Sequence, residues 1–304
     1  MPGAVLLVSH GTVDDLADLP AFLANVRRGR PPGPELVAEL SRRYQAIGGR
    51  SPLNDVNAEL AAKLARELGV PVRWSNRLWR PYVRDVLSSM AQAGATRVAV
   101  VPLAQHSAHV YEEDARRAAE GLGLDLVCAA NWGRHPGLCA AFVDRVTAAL
   151  RPLGDPSRGT VILTAHSLPR AVVLRGDPYE SEVRAAAAAV SDALARRVGD
   201  VRSVVAFQSQ GASGRGADGE PVEWLGPDLA AALDEAAARG DRWVVLAPIG
   251  FLADHVEILY DLDIEARSMA GRRHLVYARA ASLNADDDLV AVLADVARGL
   301  LGHG

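Results

Sequence analysis

The chain reads as an α/β protein built from two similar parallel-sheet halves, and two observations predict this. Short, continuous apolar runs alternate with longer Ala, Leu, Arg and Glu stretches at helical period, the pattern of strands joined by crossover helices around a parallel sheet. The halves also resemble each other: Ala4-Val5-Leu6-Leu7-Val8-Ser9-His10 is matched by Thr160-Val161-Ile162-Leu163-Thr164-Ala165-His166. Further on, Val101-Pro102-Leu103 leads to His109 and Ala247-Pro248-Ile249 leads to His255, each histidine seven positions past its proline. Apolar runs resemble one another by chance, but two histidines matched at corresponding places point to a duplication.

In chain order, strands are expected near 4–9, 71–76, 97–104, 125–130, 159–165, 202–208, 243–249 and 274–278. Helices are expected near 34–47, 55–68, 81–94, 111–121, 136–151, 180–197, 227–239, 254–268 and 286–301. Arg151-Pro152-Leu153-Gly154-Asp155-Pro156 has the punctuation of a connection and divides a first domain, 1–152, from a second, 153–304. Gly211 to Glu220 reads as a polar, glycine-rich, mobile loop. All four matched histidines follow a strand, where open α/β sheets bind ligands. Two such halves set face to face would enclose a cleft lined by imidazoles.

With 304 residues, 49% of them apolar and 23% charged, the chain has material for two packed domains and no sign of disorder. Thirty-three basic against 37 acidic residues leave a net charge of −4, which supplies no field for holding polyphosphate and excludes nucleic acid as a partner. The two cysteines, Cys128 and Cys139, are too few for a disulfide framework or a four-cysteine metal site. The opening MPGAVLLVSHG has no basic region, and its apolar run is too short for a signal core or a membrane span. A cytoplasmic protein with no transmembrane segment is expected.

His166 lies in Thr164-Ala165-His166-Ser167-Leu168-Pro169, where proline forces a turn straight after the strand. An imidazole there either caps the strand end or faces a ligand at the sheet rim. Glu257, Asp261 and Glu265 recur every fourth residue, so on a helix they form one carboxylate stripe beginning beside His255. Like charges at this spacing repel by a few tenths of a kcal/mol per pair, so the stripe is either solvated or offset by a cation moving along it. Arg27, Arg28 and Arg30 lie in a proline-bounded segment that reads as a loop, either plainly solvated or directed at carboxylates or phosphates. Gly48-Gly49 lacks the spacing of a nucleotide fingerprint, and no nucleophile elbow, HExxH, CxxC or EF-hand loop is present. The remaining His, Glu, Asp and Arg suit a divalent cation handled together with a large apolar ligand that bears carboxylates.

These residues are also where the sequence resembles the ferrochelatase family, class II chelatases that insert Fe2+ into a porphyrin. The likeness spans nearly the whole chain. It includes Leu7-Val8-Ser9-His10-Gly11-Thr12, Arg27-Arg28-Gly29-Arg30, Ala46-Ile47-Gly48-Gly49 with Ser51-Pro52-Leu53, and Ala165-His166-Ser167-Leu168-Pro169 with Gly176-Asp177-Pro178-Tyr179. It continues through Gln208-Ser209 and Trp224-Leu225-Gly226-Pro227 to Asp254-His255-Val256-Glu257. The resemblance implies two Rossmann-like, chelatase-type domains and a catalytic pair of His166 and Glu257. It also implies porphyrin contacts from His10, Arg27, Arg28, Arg30, Ser51, Gln208 and Trp224. Metal contacts are implied at His166, Glu257, Asp261 and Glu265, the last two resembling a peripheral site for a cation such as Mg2+ with Arg43 as neighbour. His106, His109 and His255 are additional candidates.

Within the family the arginine loop and short chain look most like the compact soluble enzymes that use coproporphyrin III, although His10 stands where those usually carry tyrosine. Coproporphyrin III and protoporphyrin IX both remain open as substrates. The family's role is haem biosynthesis, with Fe2+ and porphyrin as substrates, haem as product and transient contact with neighbouring pathway enzymes. No tightly bound cofactor is expected, and the C-terminal four-cysteine site of some relatives is absent, so no iron–sulfur cluster is expected either. Two other readings stay open. One is a sirohydrochlorin cobalt or nickel chelatase, which should carry more cationic residues around its cleft. The other is a non-catalytic cytosolic haem carrier, which would need one axial ligand and no carboxylate at Glu257.

Overall fold

The computed structural model describes residues 3–210 and 222–302. The loop expected over Gly211 to Glu220 lies outside the described residues. Eight strands are present: β1 (Ala4–Ser9), β2 (Val72–Asn76), β3 (Arg97–Pro102), β4 (Asp125–Cys128), β5 (Gly159–His166), β6 (Arg202–Gln208), β7 (Trp243–Ala247) and β8 (Val276–Arg279). They form two four-stranded sheets, ordered β2-β1-β3-β4 and β6-β5-β7-β8, and every pairing is parallel. The order is the same in both sheets, with each half's first strand inside, between its second and third. Such repetition is what the matched sequences predicted.

Parallel strands are covered on both faces and therefore read as unbroken apolar runs. All six residues of β1 are buried, as are the first seven of β5. On one face of the first sheet Leu6, Val8, Val98 and Val100 pack with Leu87 and Tyr111. In the second, Ile162, Val244 and Leu246 pack with Leu233, Ile258 and Leu262. The order in the sheet reverses direction at β1 and again at β5, and a crevice opens beyond the carboxyl end of the strands at such a reversal. His10 directly follows β1, and His166 is the last residue of β5.

The compact units do not divide at 152/153. One comprises the chain up to Gly137 together with Ala253–His255 and Leu283–Gly304, and the other Leu138–Leu252 with Val256–Ser282. The final helix, Asp287–Leu301, carries a buried stripe of Leu289, Val290, Leu293 and Ala297. It packs on the helix Leu53–Leu68 and on β3 and β4, and Lys63 Nζ ties the two helices by donating to the Ala285 carbonyl at 2.7 Å. A linear boundary misses this return because sequence spacing carries no record of which sheet the last helix covers.

Three further departures concern helices. Leu19–Val26 is helical, opened by Pro20 in its first turn, and Arg170–Leu174 forms a short turn of helix. The helix expected over 254–268 is broken into Val256–Leu259, a π-helical turn Asp261–Ala266, and Arg267–Arg272. Among the described residues no helix is long and apolar enough to cross a membrane.

Candidate functional site

His166 is held from behind by three segments that the sequence had marked as motifs. Its own carbonyl accepts from the Tyr179 hydroxyl at 2.9 Å, and the next amide, Ser167 N, donates to the Gln208 carbonyl at 2.7 Å. The Ser167 hydroxyl donates to the Leu225 carbonyl at 2.9 Å, while Leu225 N donates to the Leu168 carbonyl at 2.9 Å. Ala165, Tyr179, Val183, Phe207 and Leu225 close an apolar cluster beneath. The Gly-Asp-Pro-Tyr and Trp-Leu-Gly-Pro segments therefore brace the strand end that presents the imidazole. With the backbone satisfied in this way, the turn has little freedom to relax and the ring keeps its direction.

The facing wall comes from the residues after β7. His166 Nδ1 lies 2.9 Å from Glu257 Oε2, with side chains 37% and 34% exposed. Glu257 is further fixed through its backbone, whose carbonyl accepts from Gln208 Nε2 at 3.1 Å. One turn on, the chain widens: Ile264 N and Glu265 N both donate to the Tyr260 carbonyl, at 3.1 and 3.0 Å. The second of these spans five residues, the spacing of a π turn, a feature that recurs at functional sites. Three consecutive residues of this turn are each held by a different group. Asp261 accepts from the Ser209 hydroxyl, the Leu262 carbonyl from the Tyr277 hydroxyl at 2.7 Å, and Asp263 takes the Arg279 fork at 2.8 and 3.0 Å.

Electrostatics on the imidazole oppose one another. Burial, the largest single influence, pushes the His166 pKa down, whereas the Glu257 charge, its hydrogen bond and the Asp261 charge push it up. The upward influences prevail and place it above the usual 6.5. Burial also raises the Tyr277 hydroxyl well above its ordinary value, so it remains a donor to the Leu262 carbonyl.

The carboxylate stripe is not one solvated face. Asp261 is 7% exposed and engaged by Ser209, while Glu265 is half-buried further along. Among the described residues no three His, Cys, Asp or Glu side chains are grouped so as to hold a metal ion.

The first unit holds the other candidates. His10 is exposed just past β1, where its carbonyl accepts from Leu78 N at 3.0 Å and its Nδ1 lies 3.4 Å from the Tyr111 hydroxyl. Arg77 sits 5.7 Å over the Tyr111 ring and pairs with Asp114. Arg27, Arg28 and Arg30 are exposed in the loop after the helix Leu19–Val26. That loop turns through Arg28 and Gly29 at positive φ, closed by Gly29 N donating to the Ala24 carbonyl at 2.7 Å. Arg43 pairs with Glu39 at 2.7 Å along its own helix.

Several other candidates have plainly structural surroundings. Ser51 is fully buried and accepts from Leu53 N at 3.3 Å, at the start of the helix Leu53–Leu68. His106 is buried with its ring against Gly133, where an added Cβ would come within 2.1 Å of the imidazole. His255 Nδ1 donates to the Ala253 carbonyl at 3.0 Å, closing a local turn. His109 is exposed on the helix Ala108–Ala119. Gln208 is 2% exposed and acts through its amide on the backbone of Glu257, and Trp224 is half-buried. Sequence reasoning missed Tyr277 and Arg279, although their alternate spacing on β8 places both on one face of that strand.

The ferrochelatase family model matches residues 2–300, almost the entire chain. The chain belongs to the ferrochelatase family. It is an enzyme, a lyase that inserts iron into a porphyrin in haem synthesis. A ferrochelatase of Herpetosiphon aurantiacus is 34% identical over 97% of this chain and 98% of its own length. A coproporphyrin III ferrochelatase of Mycobacterium ulcerans is 37% identical over 98% of this chain and 86% of its own. Among solved structures, SirB from Bacillus subtilis with Fe3+ aligns with TM-score 0.60 at 16% identity, covering 99% of this chain and 96% of that one. That likeness is one of fold.

Proposed function

We propose that His166 accepts the pyrrole protons during iron insertion, that Glu257 orients it and stabilises its charged form, and that coproporphyrin III is the porphyrin. The observation that carries the catalytic assignment is the contact between His166 Nδ1 and Glu257 Oε2. A carboxylate oxygen accepts only, so Nδ1 carries the hydrogen and Nε2 is left as a bare lone pair. Metallation of a porphyrin releases two protons that are very weakly acidic until the metal binds. Nε2 takes the first, and the imidazolium so formed gains the nearby charges of Glu257 and Asp261. Once the proton has passed on, the same nitrogen takes the second.

Asp261 and Glu265 continue from Glu257 along the same segment and supply carboxylates at successive turns, a path for iron or for the departing protons. Arg27, Arg28 and Arg30 suit propionates: exposed guanidinium forks on one loop match carboxylates in geometry and charge. A porphyrin with four propionates gains more from them than one with two, which favours coproporphyrin III over protoporphyrin IX. The curated relatives that bear the former substrate's name point the same way. With no membrane-crossing helix among the described residues and only two cysteines, we place the reaction in the cytoplasm.

The test is anaerobic Fe2+ insertion followed by absorbance, with both porphyrins side by side and wild type against His166→Ala and Glu257→Gln. Faster insertion into coproporphyrin III, lost in His166→Ala, is expected. Insertion at the wild-type rate in both variants would sink the catalytic assignment. Turnover of sirohydrochlorin with Co2+ in place of both porphyrins would replace the function.

A further inference from the structure

Beyond their strand order, the two halves share a clamp. In the first, Asn131 lies just past β4, and its Oδ1 accepts from the Ala108 amide at 2.8 Å. In the second, Asn284 lies just past β8, and its Oδ1 accepts from the Asp254 amide at 2.8 Å. The two amides occupy matched places, since Ala108-His109-Val110-Tyr111 corresponds to Asp254-His255-Val256-Glu257. Three residues beyond each clamped amide stands the side chain that meets the histidine at the carboxyl end of that half's first strand. The Tyr111 hydroxyl lies 3.4 Å from His10 Nδ1, and Glu257 Oε2 lies 2.9 Å from His166 Nδ1.

The first amides of a helix find no acceptor inside it. Ala108 opens the helix Ala108–Ala119, and the side chain of Ser107 before it makes no capping bond. An asparagine remote in sequence supplies the acceptor instead. In the second half the tie is double, because Asn284 Nδ2 also donates to the Asp254 carboxylate at 3.2 Å. Asn284 holds a left-handed backbone, φ +51°, which asparagine tolerates better than most residues with a Cβ. Its neighbours are fixed: Asp286 N donates to the Leu283 carbonyl at 3.1 Å, and the Ala285 carbonyl accepts from Lys63 Nζ at 2.7 Å. The clamp therefore sets where the segment bearing Glu257 begins, and Gln208 holds Glu257 itself through its carbonyl.

We propose that Asn284 is a positioning residue for iron insertion: its side-chain amide grips the backbone and the carboxylate of Asp254 and so delivers Glu257 to His166. The inference rests on the role assigned above to His166 and Glu257. Asn131 is the same clamp in the first half, where the delivered side chain is a tyrosine.

The experiment compares Asn284→Gly, Asn284→Asp and Asn131→Gly with wild type, reading kcat and the tautomer of His166. The tautomer is read in alkaline buffer, where the ring is neutral, from two-bond 1H–15N spectra of histidine-labelled protein, with His166 assigned by its loss in His166→Ala. Glu257 holds the proton on Nδ1, whereas an imidazole free in water prefers it on Nε2. Asn284→Gly keeps the left-handed backbone and removes the clamp. It should move His166 towards the Nε2–H form and lower kcat about ten- to a hundredfold, the usual effect of a small misplacement. Asn284→Asp keeps the acceptor, loses the donor and sets a second carboxylate against Asp254, so it should shift both readings the same way and by less. Should the glycine variant fail to fold, the aspartate variant decides. Asn131→Gly should leave the His166 tautomer as in wild type. A wild-type tautomer in the Asn284 variants overturns this inference alone, whether kcat falls or not, as does an equal shift in Asn131→Gly. A wild-type His166 that carries its proton on Nε2 overturns it together with the reading on which it rests.

Discussion

His166 Nδ1 and Glu257 Oε2 stand 2.9 Å apart across 91 positions of sequence, joining the end of β5 to the segment that follows β7. Burial disfavours the imidazolium, yet the charges of Glu257 and Asp261 hold its pKa above 6.5. The proton-accepting form is the neutral one, so kcat/KM for iron insertion should rise with pH through that elevated pKa. Glu257→Gln removes the largest upward influence and leaves burial dominant, so the acidic limb should move to lower pH while the maximum rate falls. A pH–rate profile of both enzymes reads this directly, and a limb that stays in place would contradict the assignment.

The same pair sets the sign of a stability effect. A histidine whose folded pKa is raised contributes stability that is fully present below its unfolded pKa of about 6.5 and is lost as pH rises through the folded value. Glu257→Gln should therefore lower Tm more in mildly acidic buffer than in alkaline buffer. Thermal melts of the two proteins at both ends of that window decide it. A Tm difference that does not vary with pH would mean the pair adds nothing beyond packing.

Gly250 tests how closely the site is supported from β7. Its amide donates to the Thr164 carbonyl at 2.9 Å, and a Cβ added to it would stand 2.6 Å from Ala165 Cα and Cβ. The obstruction is the backbone of β5, one residue before His166, and cannot swing aside like a side-chain tip. Gly250→Ala should destabilise by about 1–3 kcal/mol, the usual cost of overpacking, and lower kcat by displacing His166. A wild-type Tm and rate would show that the two strand ends are free to separate.

The inner strands were the most legible because a strand covered on both faces reads as a continuous apolar run, as Ala4–Val8 and Val161–Leu163 do. The helix Leu19–Val26 was not, since its two turns follow a 3-10 turn and precede an arginine loop that dominates the local pattern. The π turn was hidden for a different reason. Carboxylates at every fourth position fit an ordinary helix, and only the partners Ser209, Tyr277 and Arg279, all remote in sequence, reveal that the turn is widened and tied. Histidine spacing located His10 and His166 at strand ends, but the sequence alone could not separate them from the additional candidates His106 and His255. Those two are set by Gly133 and the Ala253 carbonyl, which no spacing records.

Arg279 and Tyr277 give a prediction about the widened turn itself. The Arg279 fork on Asp263 is mostly buried, at 13% and 25% side-chain exposure. Arg279→Ala leaves Asp263 without that partner and should cost about 2–4 kcal/mol. Tyr277→Phe removes one donor to the Leu262 carbonyl and should cost about 1 kcal/mol. Because both hold adjacent residues of one turn, the double variant should lose less than the sum of the two. Chemical denaturation of the four proteins measures the coupling, and strict additivity would show that Leu262 and Asp263 are held independently.

The arginine loop makes the substrate assignment testable without touching the catalytic pair. Arg27, Arg28 and Arg30 are exposed, so replacing them by alanine should change stability by no more than about 0.5 kcal/mol. If they meet propionates, each exposed contact adds up to about 1 kcal/mol, and the triple variant should raise KM for coproporphyrin III by roughly ten- to a hundredfold. KM for protoporphyrin IX, with half the carboxylates, should rise less. Salt should mimic the substitutions: screening weakens exposed charge pairs, so wild-type KM for coproporphyrin III should climb with ionic strength while that of the triple variant stays flat. Parallel rises for both porphyrins and equal salt dependence in the two proteins would remove the loop from substrate selection.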